Sequence, residues 1–269
     1  MNISVHGRNN AAARVWGSTG ARYDEISRGI ADAIEHCVER LLPKPGERIL
    51  DIATGTGWTA RRLAERGAEV SAIDFAPGMV AAAWDLAQRR NLDIAFEVGD
   101  AETLDYVDQS FDAVISTFGV MFSSQPEQAA SELTRVCRPG GRLALTVWTP
   151  DGTLSGMFEV MKPYMSQPVS DPPPSPFEWG NPERVQALLG DTFDLTFERG
   201  TSFYREPSGL QAWETFSSGY GPLLTLAAGL DEGARESLKR DFVAFHDAYA
   251  SELGVCVPRD YWVVIGKRR

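Results

Sequence analysis

Apolar runs of strand length alternate with helical patterns over residues 1–150 of the chain. The strand-like runs lie at 48–53, 69–74, 94–99, 111–117 and 142–148. Around them, apolar residues recur three or four positions apart, which predicts helices at 26–42, 59–66, 79–90 and 125–136. Short apolar strands separated by helices are typical of a parallel sheet that is covered by helices on both faces. A ligand of such a sheet binds beyond the carboxyl ends of the strands.

The pattern changes after Pro150. Residues 171–176 contain four prolines and cannot be helical, because proline lacks an N–H and restricts its predecessor; we expect an ordered surface connection within a lid. Helices are predicted at 181–189, 210–216 and 231–253, and strands at 193–203 and 261–266. The prediction is therefore an α/β protein with a Rossmann-like, doubly wound, seven-stranded, mostly parallel sheet. We expect one domain, in which 1–150 form N-terminal helices and a cofactor-binding core and 151–269 form a helical cap, inserted after the fifth strand, and the final strands.

The composition argues against several classes of protein. The net charge is −11, and the one basic cluster is Lys267-Arg268-Arg269, so we expect no nucleic acid partner. No run of 18 apolar residues predicts a membrane span, and residues 1–14 lack the apolar core of a signal peptide, so a cytoplasmic protein is expected. Three scattered cysteines are too few for a disulfide framework or a zinc site, and no metal is expected.

Residues 49–57 form the most informative segment, Ile-Leu-Asp-Ile-Ala-Thr-Gly-Thr-Gly. A strand enters a glycine-rich turn, and the helix that follows offers free N–H groups to a ligand. Gly55 to Ala60 fit the dinucleotide pattern G-x-G-x-x-A, and Asp74 lies 19 residues beyond Gly55, close to where an NAD site has its acidic residue. Taken alone, this segment leaves a nicotinamide cofactor open.

Three further features favour a different cofactor. Asp51 precedes the turn, where its charge would repel a pyrophosphate and attract a cationic ligand. Gly99-Asp100-Ala101-Glu102 ends the third strand, where the Asp100 side chain and the Ala101 amide could bind the edge of an adenine. Residues 138–142, Arg-Pro-Gly-Gly-Arg, make a tight turn into the fifth strand.

In this order, the motifs resemble the class I S-adenosylmethionine (SAM)-dependent methyltransferases. The subgroup with the greatest likeness includes C-methyltransferases of ubiquinone and menaquinone biosynthesis and many small-molecule methyltransferases. The resemblance covers about residues 12–148. Two positions depart from the family pattern: Ala53 replaces the first loop glycine, and Ala76 replaces the Ser of D-x-S-x-x-M, which spans Asp74 to Met79 here.

The resemblance implies a role for each matching residue. The backbone of Ala53, Gly55 and Gly57 would line the methionine part and the ribose, and Asp51 would face the cofactor's amino group directly or through water. Asp74 would accept the ribose hydroxyls, Phe75 and Met79 would pack on the adenine, and Asp100 with Ala101 would bind its edge. Glu102 belongs to the same segment, and Ser116 ends the fourth strand near the methionine part. Tyr23 is a candidate to cover the cofactor, with packing of the N-terminal arm (residues 1–25) as the alternative.

The resemblance implies in-line transfer of a methyl group from SAM, which leaves S-adenosylhomocysteine (SAH). The acceptor pocket is expected between residues 118–123, the N-terminal arm and residues 151–225, which are rich in aromatic residues and Met, so a small, apolar or aromatic acceptor is expected. No catalytic residue is predicted, because positioning of the cofactor and the acceptor is enough for this chemistry. The alternatives are a SAM- or SAH-binding protein without turnover and an NAD(P)-dependent oxidoreductase. A monomer or a homodimer is expected.

Overall fold

The computed structural model describes residues 5–165 and 174–269, which form eleven α-helices and eight β-strands. The helices are α1 (Asn10–Gly17), α2 (Tyr23–Arg28), α3 (Ala31–Leu41), α4 (Trp58–Ala64), α5 (Pro77–Gln88), α6 (Pro126–Val136), α7 (Thr153–Met161), α8 (Pro182–Leu189), α9 (Gly209–Gly219), α10 (Gly221–Gly229) and α11 (Glu232–Asp247). The strands are β1 (Arg48–Ile52), β2 (Glu69–Asp74), β3 (Ile94–Val98), β4 (Phe111–Thr117), β5 (Cys137–Trp148), β6 (Phe193–Glu206), β7 (Ala250–Ser251) and β8 (Gly254–Arg268).

The strands form one sheet in the order β3-β2-β1-β4-β5-β8-β6, with the short β7 beside β8. Strands β1 to β5 are parallel, and β8 runs antiparallel between β5 and β6. The chain moves away from β1 through α4 to β2, and in the opposite direction from β4 through α6 to β5. Because such crossovers are right-handed, α4 and α6 cover opposite faces. The mostly parallel, doubly wound α/β fold is confirmed, with the two-residue β7 as an eighth strand.

The apolar strands form the core as their pattern predicted. Ile49, Leu50 and Ile52 of β1 have no solvent exposure, and Val114 and Ile115 of β4 beside them are equally buried. A central parallel strand is covered on both faces, so it has no polar face to show in its sequence.

The C-terminal strand is much longer than the sequence pattern indicated. The helix expected at 231–253 ends as α11 at Asp247, and Gly254, with φ +95°, turns the chain into β8. Alternate residues of β8 are buried, but Pro258 and Arg259 interrupt the apolar alternation in its first half. Only the apolar second half was therefore recognised, as a strand at 261–266.

The helices differ from the prediction in two regions, at residues 26–42 and in the cap. The helix expected at 26–42 is broken at Gly29 and Ile30 into α2 and α3. The helical cap contains α7, which follows β5, and α9 to α11, which follow β6. Here α9 packs against α2 and α10 packs against α1, so the cap rests on the N-terminal arm and the helix after it. Residues 171–173 of the expected surface connection lie outside the described residues, and the domain division at residue 150 stays a prediction.

Candidate functional site

The main cavity lies where the carboxyl ends of β1, β2 and β3 meet the loop after β4. It has a volume of about 930 Å³, including the part that is open to solvent. Its lining comes from the N-terminal arm, the start of α3, the four strand ends and α4 and α5. The lining residues are Asn9, Trp16, Tyr23, Ser27, Ile30, Ile34, Ala53, Thr54, Gly55, Trp58, Thr59, Asp74, Phe75, Met79, Gly99, Asp100, Ala101, Glu102, Thr117, Phe118, Gly119, Val120, Phe122 and Ser123.

The glycine turn is closed by backbone hydrogen bonds. The N–H of Thr54 donates to Ile73 O on β2 (2.8 Å), and the N–H of Gly57 donates to Thr54 O (2.9 Å). Gly55 and Gly57 have φ of +57° and +77°, a conformation that residues with a side chain rarely adopt. The turn therefore presents bare backbone to the cavity at Gly55, where an added Cβ would meet only the ring of Tyr23, at 3.6 Å.

Ala53 has the backbone conformation of the glycine that it replaces. Its φ is +55°, in the left-handed region, which costs a residue with a Cβ about 1 kcal/mol. Its methyl group packs against Gly119 in the loop after β4, where an added Cβ would come within 2.4 Å of the Ala53 Cβ. Glycine at position 119 therefore leaves the space that the methyl group of Ala53 fills.

Asp74 is buried at the end of β2 and braces the glycine turn. Its Oδ2 accepts from the N–H of Gly55 (2.9 Å), and its Oδ1 accepts from the N–H of Ala76 (2.9 Å). Burial raises the pKa of the Asp74 carboxyl to about 6, although both N–H donors act in the other direction. Each oxygen keeps a lone pair for a further donor in the cavity.

Asp100 connects the end of β3 with the N-terminal arm. Its Oδ2 accepts from the N–H of His6 (3.1 Å) and from Nδ2 of Asn9 (2.9 Å), and its Oδ1 accepts from the N–H of Glu102 (3.0 Å). The arm therefore lies along the edge where the sequence predicted adenine recognition. No role was predicted for Asn9, because a polar terminal segment gives no sign of which strand end its side chains will contact.

Glu102 is a structural anchor of this region as well as a lining residue. Its Oε2 pairs with Nη2 of Arg8 (2.7 Å), and its Oε1 accepts from the N–H groups of Ser124 (2.6 Å) and Gln125 (2.9 Å), just before α6. Burial opposes ionisation, but the Arg8 guanidinium and these donors hold the pKa of the Glu102 carboxyl below its usual range.

Aromatic rings form another part of the wall. Trp16 packs edge-on to Tyr23 (6.1 Å between ring centroids), tilted on Phe122 (4.8 Å) and edge-on to Tyr220 at the start of α10 (5.5 Å). Burial is the main cause that raises the pKa of Tyr23, and the nearby Asp74 carboxylate raises it further. The hydroxyl of Tyr23 therefore stays protonated. The ring of Tyr23 lines the cavity and packs on Trp16 of the arm, and its role in covering the cofactor stays a prediction.

Three of the candidate residues lie behind the wall. Gly57 packs against the side chains of Ala83 and Phe96, and Ser116 donates to Ile52 O (2.7 Å) while it accepts from the N–H of Val120 (3.0 Å). The third, Asp51, is fully buried beneath the glycine turn. None of the three is part of the lining, and their direct roles toward a cofactor stay predictions.

Asp51 has an unusual environment for a carboxylate. Its Oδ2 accepts from Oγ1 of Thr54 (2.5 Å), and its Oδ1 has no hydrogen-bond partner. Burial raises the pKa of the Asp51 carboxyl to about 7, and the Asp74 carboxylate adds to this effect.

The described part of the chain shows neither a metal site nor a membrane-spanning helix. In residues 5–165 and 174–269, no group of three or more His, Cys, Asp or Glu side chains is placed to hold a metal ion. No described helix has the length and the apolar character that are needed to cross a bilayer.

Comparisons with known proteins indicate the family of this chain. Residues 50–145 match the model of a family described as a methyltransferase domain. An uncharacterized protein of Mycobacterium tuberculosis is 34% identical over 77% of this chain and 77% of its own length. A demethylmenaquinone methyltransferase of Beutenbergia cavernae is 42% identical over 45% of this chain and 51% of its own length.

A solved structure shares the fold. It is the Haemonchus contortus phosphoethanolamine N-methyltransferase 2, in complex with phosphomonomethylethanolamine and SAH, which is 21% identical and has a TM-score of 0.56 over 88% of this chain and 53% of its own length. Together with the glycine turn, the acidic residue at the end of β2 and the sheet order, these matches confirm the family that the sequence indicated. The chain belongs to the class I SAM-dependent methyltransferases.

Proposed function

We propose that this methyltransferase transfers the methyl group of SAM to a small, apolar or aromatic acceptor by in-line displacement. The observation that carries the proposal is the division of the main cavity into two chemically different ends. The cofactor end consists of Ala53, Thr54, Gly55, Asp74, Phe75, Met79, Asp100 and Ala101. We assign to the acceptor end the apolar lining residues Trp16, Ile30, Ile34, Phe118, Val120 and Phe122, beside which the hydroxyl groups of Ser27, Thr117 and Ser123 also line the cavity.

Several features of the cofactor end support SAM as its ligand. The bare backbone at Gly55 lets the ligand approach closely, and Asp74 has lone pairs left for two ribose hydroxyls. Phe75 and Met79 supply apolar surface for the adenine beside Asp100. Asp51 lies buried beneath the turn with a pKa of about 7, so a cationic ligand above it would favour the ionised form of its carboxyl.

The acceptor end favours an apolar molecule. Its six side chains are aliphatic or aromatic, and Phe118 stacks on Trp148 at 3.8 Å, which makes its ring a fixed surface. The lining residues that can ionise are Tyr23, Asp74, Asp100 and Glu102, and the three carboxylates belong to the ends of β2 and β3 and to the loop after β3. An acceptor at the other end would therefore meet mainly ring faces and methyl groups, with uncharged hydroxyl groups among them.

This arrangement determines what the chain can contribute to the reaction. The bound cofactor supplies an activated methyl group on a sulfonium. The side chains of the acceptor end exclude water and align the acceptor, which lowers the entropic part of the barrier. No carboxylate, His, Lys or Cys belongs to the acceptor end as described, so we propose that the acceptor enters as a ready nucleophile and needs no general base from these residues.

The first test is calorimetric titration with SAH. Asp74→Ala is expected to weaken binding about 30-fold, which corresponds to about 2 kcal/mol for charge-assisted hydrogen bonds. Asp85→Ala, on the exposed side of α5 and outside the lining, is the matched control and is expected to bind like the wild type. Equal affinities for all three proteins would contradict the cofactor assignment.

The acceptor class is tested separately, by measuring SAH formation with a panel of hydroquinones (quinones kept reduced), phenols and amines and with matched polar or charged analogues. Turnover is expected with the apolar members. Turnover limited to strongly polar acceptors would contradict the acceptor proposal and leave the cofactor assignment intact. SAH binding without turnover on any acceptor would favour the alternative of a binding protein.

A further inference from the structure

A buried ion pair joins the N-terminal arm to the glycine turn. The side chain of Arg61 in α4 is 1% exposed, and its Nη2 donates to Oδ1 of Asp24 in α2 (2.8 Å). Its Nη1 donates to the carbonyl oxygen of Thr56, which lies between the two glycines of the turn (2.6 Å). The same Oδ1 of Asp24 accepts from Oγ1 of Thr56 (2.9 Å). Asp24 is thus bound to the turn both directly and through Arg61.

The position of this ion pair is more informative than its contribution to stability. Removing a guanidinium from water is costly, and a buried ion pair often recovers no more than that cost. Among the described residues, Nε of Arg61 has no hydrogen-bond partner, so the side chain is not fully satisfied. Its guanidinium also lies over the ring of Trp58, 5.5 Å from the ring centroid, which stabilises the cation in part. Trp58 lines the main cavity, so Arg61 lies directly behind the cavity wall.

The residue that precedes Asp24 is Tyr23, whose ring lines the main cavity. The ring lies against the glycine turn, since a Cβ added to Gly55 would be 3.6 Å from Cε1 of Tyr23. Gly55 in turn precedes Thr56, the residue that bonds to Asp24. Two neighbouring residues of the arm therefore meet two neighbouring residues of the turn, one pair by a hydrogen bond and the other by contact of the ring with bare backbone. The ring fills the space between the arm and the turn and closes this side of the cavity.

We propose that Asp24 and Arg61 are positioning residues, which hold the Tyr23 ring against the glycine turn and so slow the release of the cofactor. The inference rests on the proposed function, because it takes the ligand of the glycine turn to be SAM or SAH. A ligand that leaves through this side of the cavity requires the ring to move, and the ion pair resists that motion. Loss of the pair is therefore expected to speed dissociation without slowing association.

The test measures the rates of SAH association and dissociation by stopped flow, through the fluorescence of the tryptophans that line the cavity. Asp24→Ala removes the carboxylate and is expected to raise the dissociation rate about tenfold, the low end of what a charge-assisted hydrogen bond contributes. The association rate is expected not to fall. Glu25→Ala is the matched control, because Glu25 is an exposed acidic residue in the same turn of α2, and it is expected to behave like the wild type.

Double variants with Tyr23→Ala show whether Asp24 acts through the ring. Tyr23→Ala alone is expected to raise the dissociation rate at least as much as Asp24→Ala. In the background of Tyr23→Ala, Asp24→Ala is expected to change the rate less than about twofold, since no ring is left to hold. An ion pair that only stabilised the fold would change the rate by the same factor in both backgrounds.

Two results would overturn the inference. One is a dissociation rate of Asp24→Ala within about twofold of the wild type, and the other is an equal effect of Asp24→Ala with and without Tyr23. If Asp24→Ala does not fold, Asp24→Asn takes its place, because its amide oxygen can still accept from Thr56. The expected rise is then about threefold, and it again disappears in the background of Tyr23→Ala. A wild type that does not bind SAH would contradict the cofactor assignment itself, and this inference with it.

Discussion

At the cofactor end of the main cavity, Asp74 at the end of β2 accepts from the backbone N–H of Gly55, in the turn after the neighbouring β1, and from that of Ala76, two residues after it. At the acceptor end, Trp16 of the N-terminal arm meets Phe122 after β4 and Tyr220 before α10, which lie far apart in the chain. One end is thus fixed by hydrogen bonds to the backbone of two neighbouring strand ends and the other by packing of rings from distant parts of the chain. The two ends are expected to respond differently to substitution.

The largest effect is expected where the two ends touch, at Gly119→Ala. Gly119 has an ordinary φ of −98°, so an alanine there is not strained by its backbone. Its Cβ would lie 2.4 Å from the Ala53 Cβ and 2.8 Å from Ala53 O, which forces the two loops apart. We expect a loss of about 3 kcal/mol in the free energy of unfolding, measured with urea.

The double variant Ala53→Gly/Gly119→Ala shows whether the contact between the two loops causes this loss of stability. Ala53→Gly removes the shorter contact, so in the background of Gly119→Ala it is expected to restore at least about 1 kcal/mol. Gly229→Ala is the control, since a Cβ there meets nothing within 4 Å. If the effects of Ala53→Gly and Gly119→Ala simply add, the contact between the loops is not the origin of the loss.

The contrast between the two ends also explains how far the sequence could predict the site. Gly55, Asp74 and Asp100 were predicted because each lies at or just after the end of an apolar strand, and their order along the chain matches the motif order of a known family. Nothing local shows that Trp16 will pack on Tyr220 or that Asn9 will bond to Asp100, since these contacts depend on how the arm and the cap meet.

The same reason applies to the fold. Strands β1 to β4 were predicted to within a residue because parallel strands are mostly apolar, whereas β5 begins at Cys137, five residues before the predicted 142. The first half of β8 was missed, because a buried Arg259 stabilised by two aromatic rings looks like a loop residue in the sequence.

The next effect concerns Asp51 and depends on pH. Its folded-state pKa of about 7 lies above the ordinary 3.8, mainly because of burial, so the folded protein binds the proton more tightly than the unfolded chain does. The stabilisation is complete below the ordinary pKa and is lost as the pH rises through about 7. Between pH 5 and 8, the free energy of unfolding of the wild type is expected to fall by about 2 kcal/mol relative to that of Asp51→Asn. Urea unfolding at each pH measures both values.

Asp112→Asn is the control for this experiment. Burial opposes ionisation of Asp112, but Arg138 holds the pKa of its carboxyl below the usual range, so it stays ionised from pH 5 to 8. The free energy of unfolding of Asp112→Asn is therefore expected to change with pH in the same way as that of the wild type over this range. A constant difference between the wild type and Asp51→Asn from pH 5 to 8 would show that the raised pKa is wrong.

A smaller effect separates the acceptor end from the cofactor end. Trp16→Ala removes a ring from the acceptor end and leaves Asp74 and the glycine turn in place. The KM for an apolar acceptor found in the panel is expected to rise about tenfold, while the affinity for SAH stays within about twofold. Trp84→Ala is the control, because Trp84 is exposed on α5 and outside the cavity. If Trp16→Ala weakened SAH binding by the same factor as it raised the KM, the distinction between the two ends would be wrong.

The smallest effect is expected at the ion pair between Arg8 of the N-terminal arm and Glu102, whose side chains are 44% and 1% exposed. Because Arg8 is largely in solvent, Arg8→Gln is expected to cost less than about 1 kcal/mol, and less still in high salt. The lowered pKa of Glu102 means that this contribution is present above the ordinary pKa of 4.5 and is lost as the pH falls. Thermal unfolding at pH 7 and at low pH measures it, with Arg89→Gln, from the exposed pair with Asp85, as the control. A larger cost at low pH than at pH 7 would show that Arg8 does not hold the arm by pairing with Glu102.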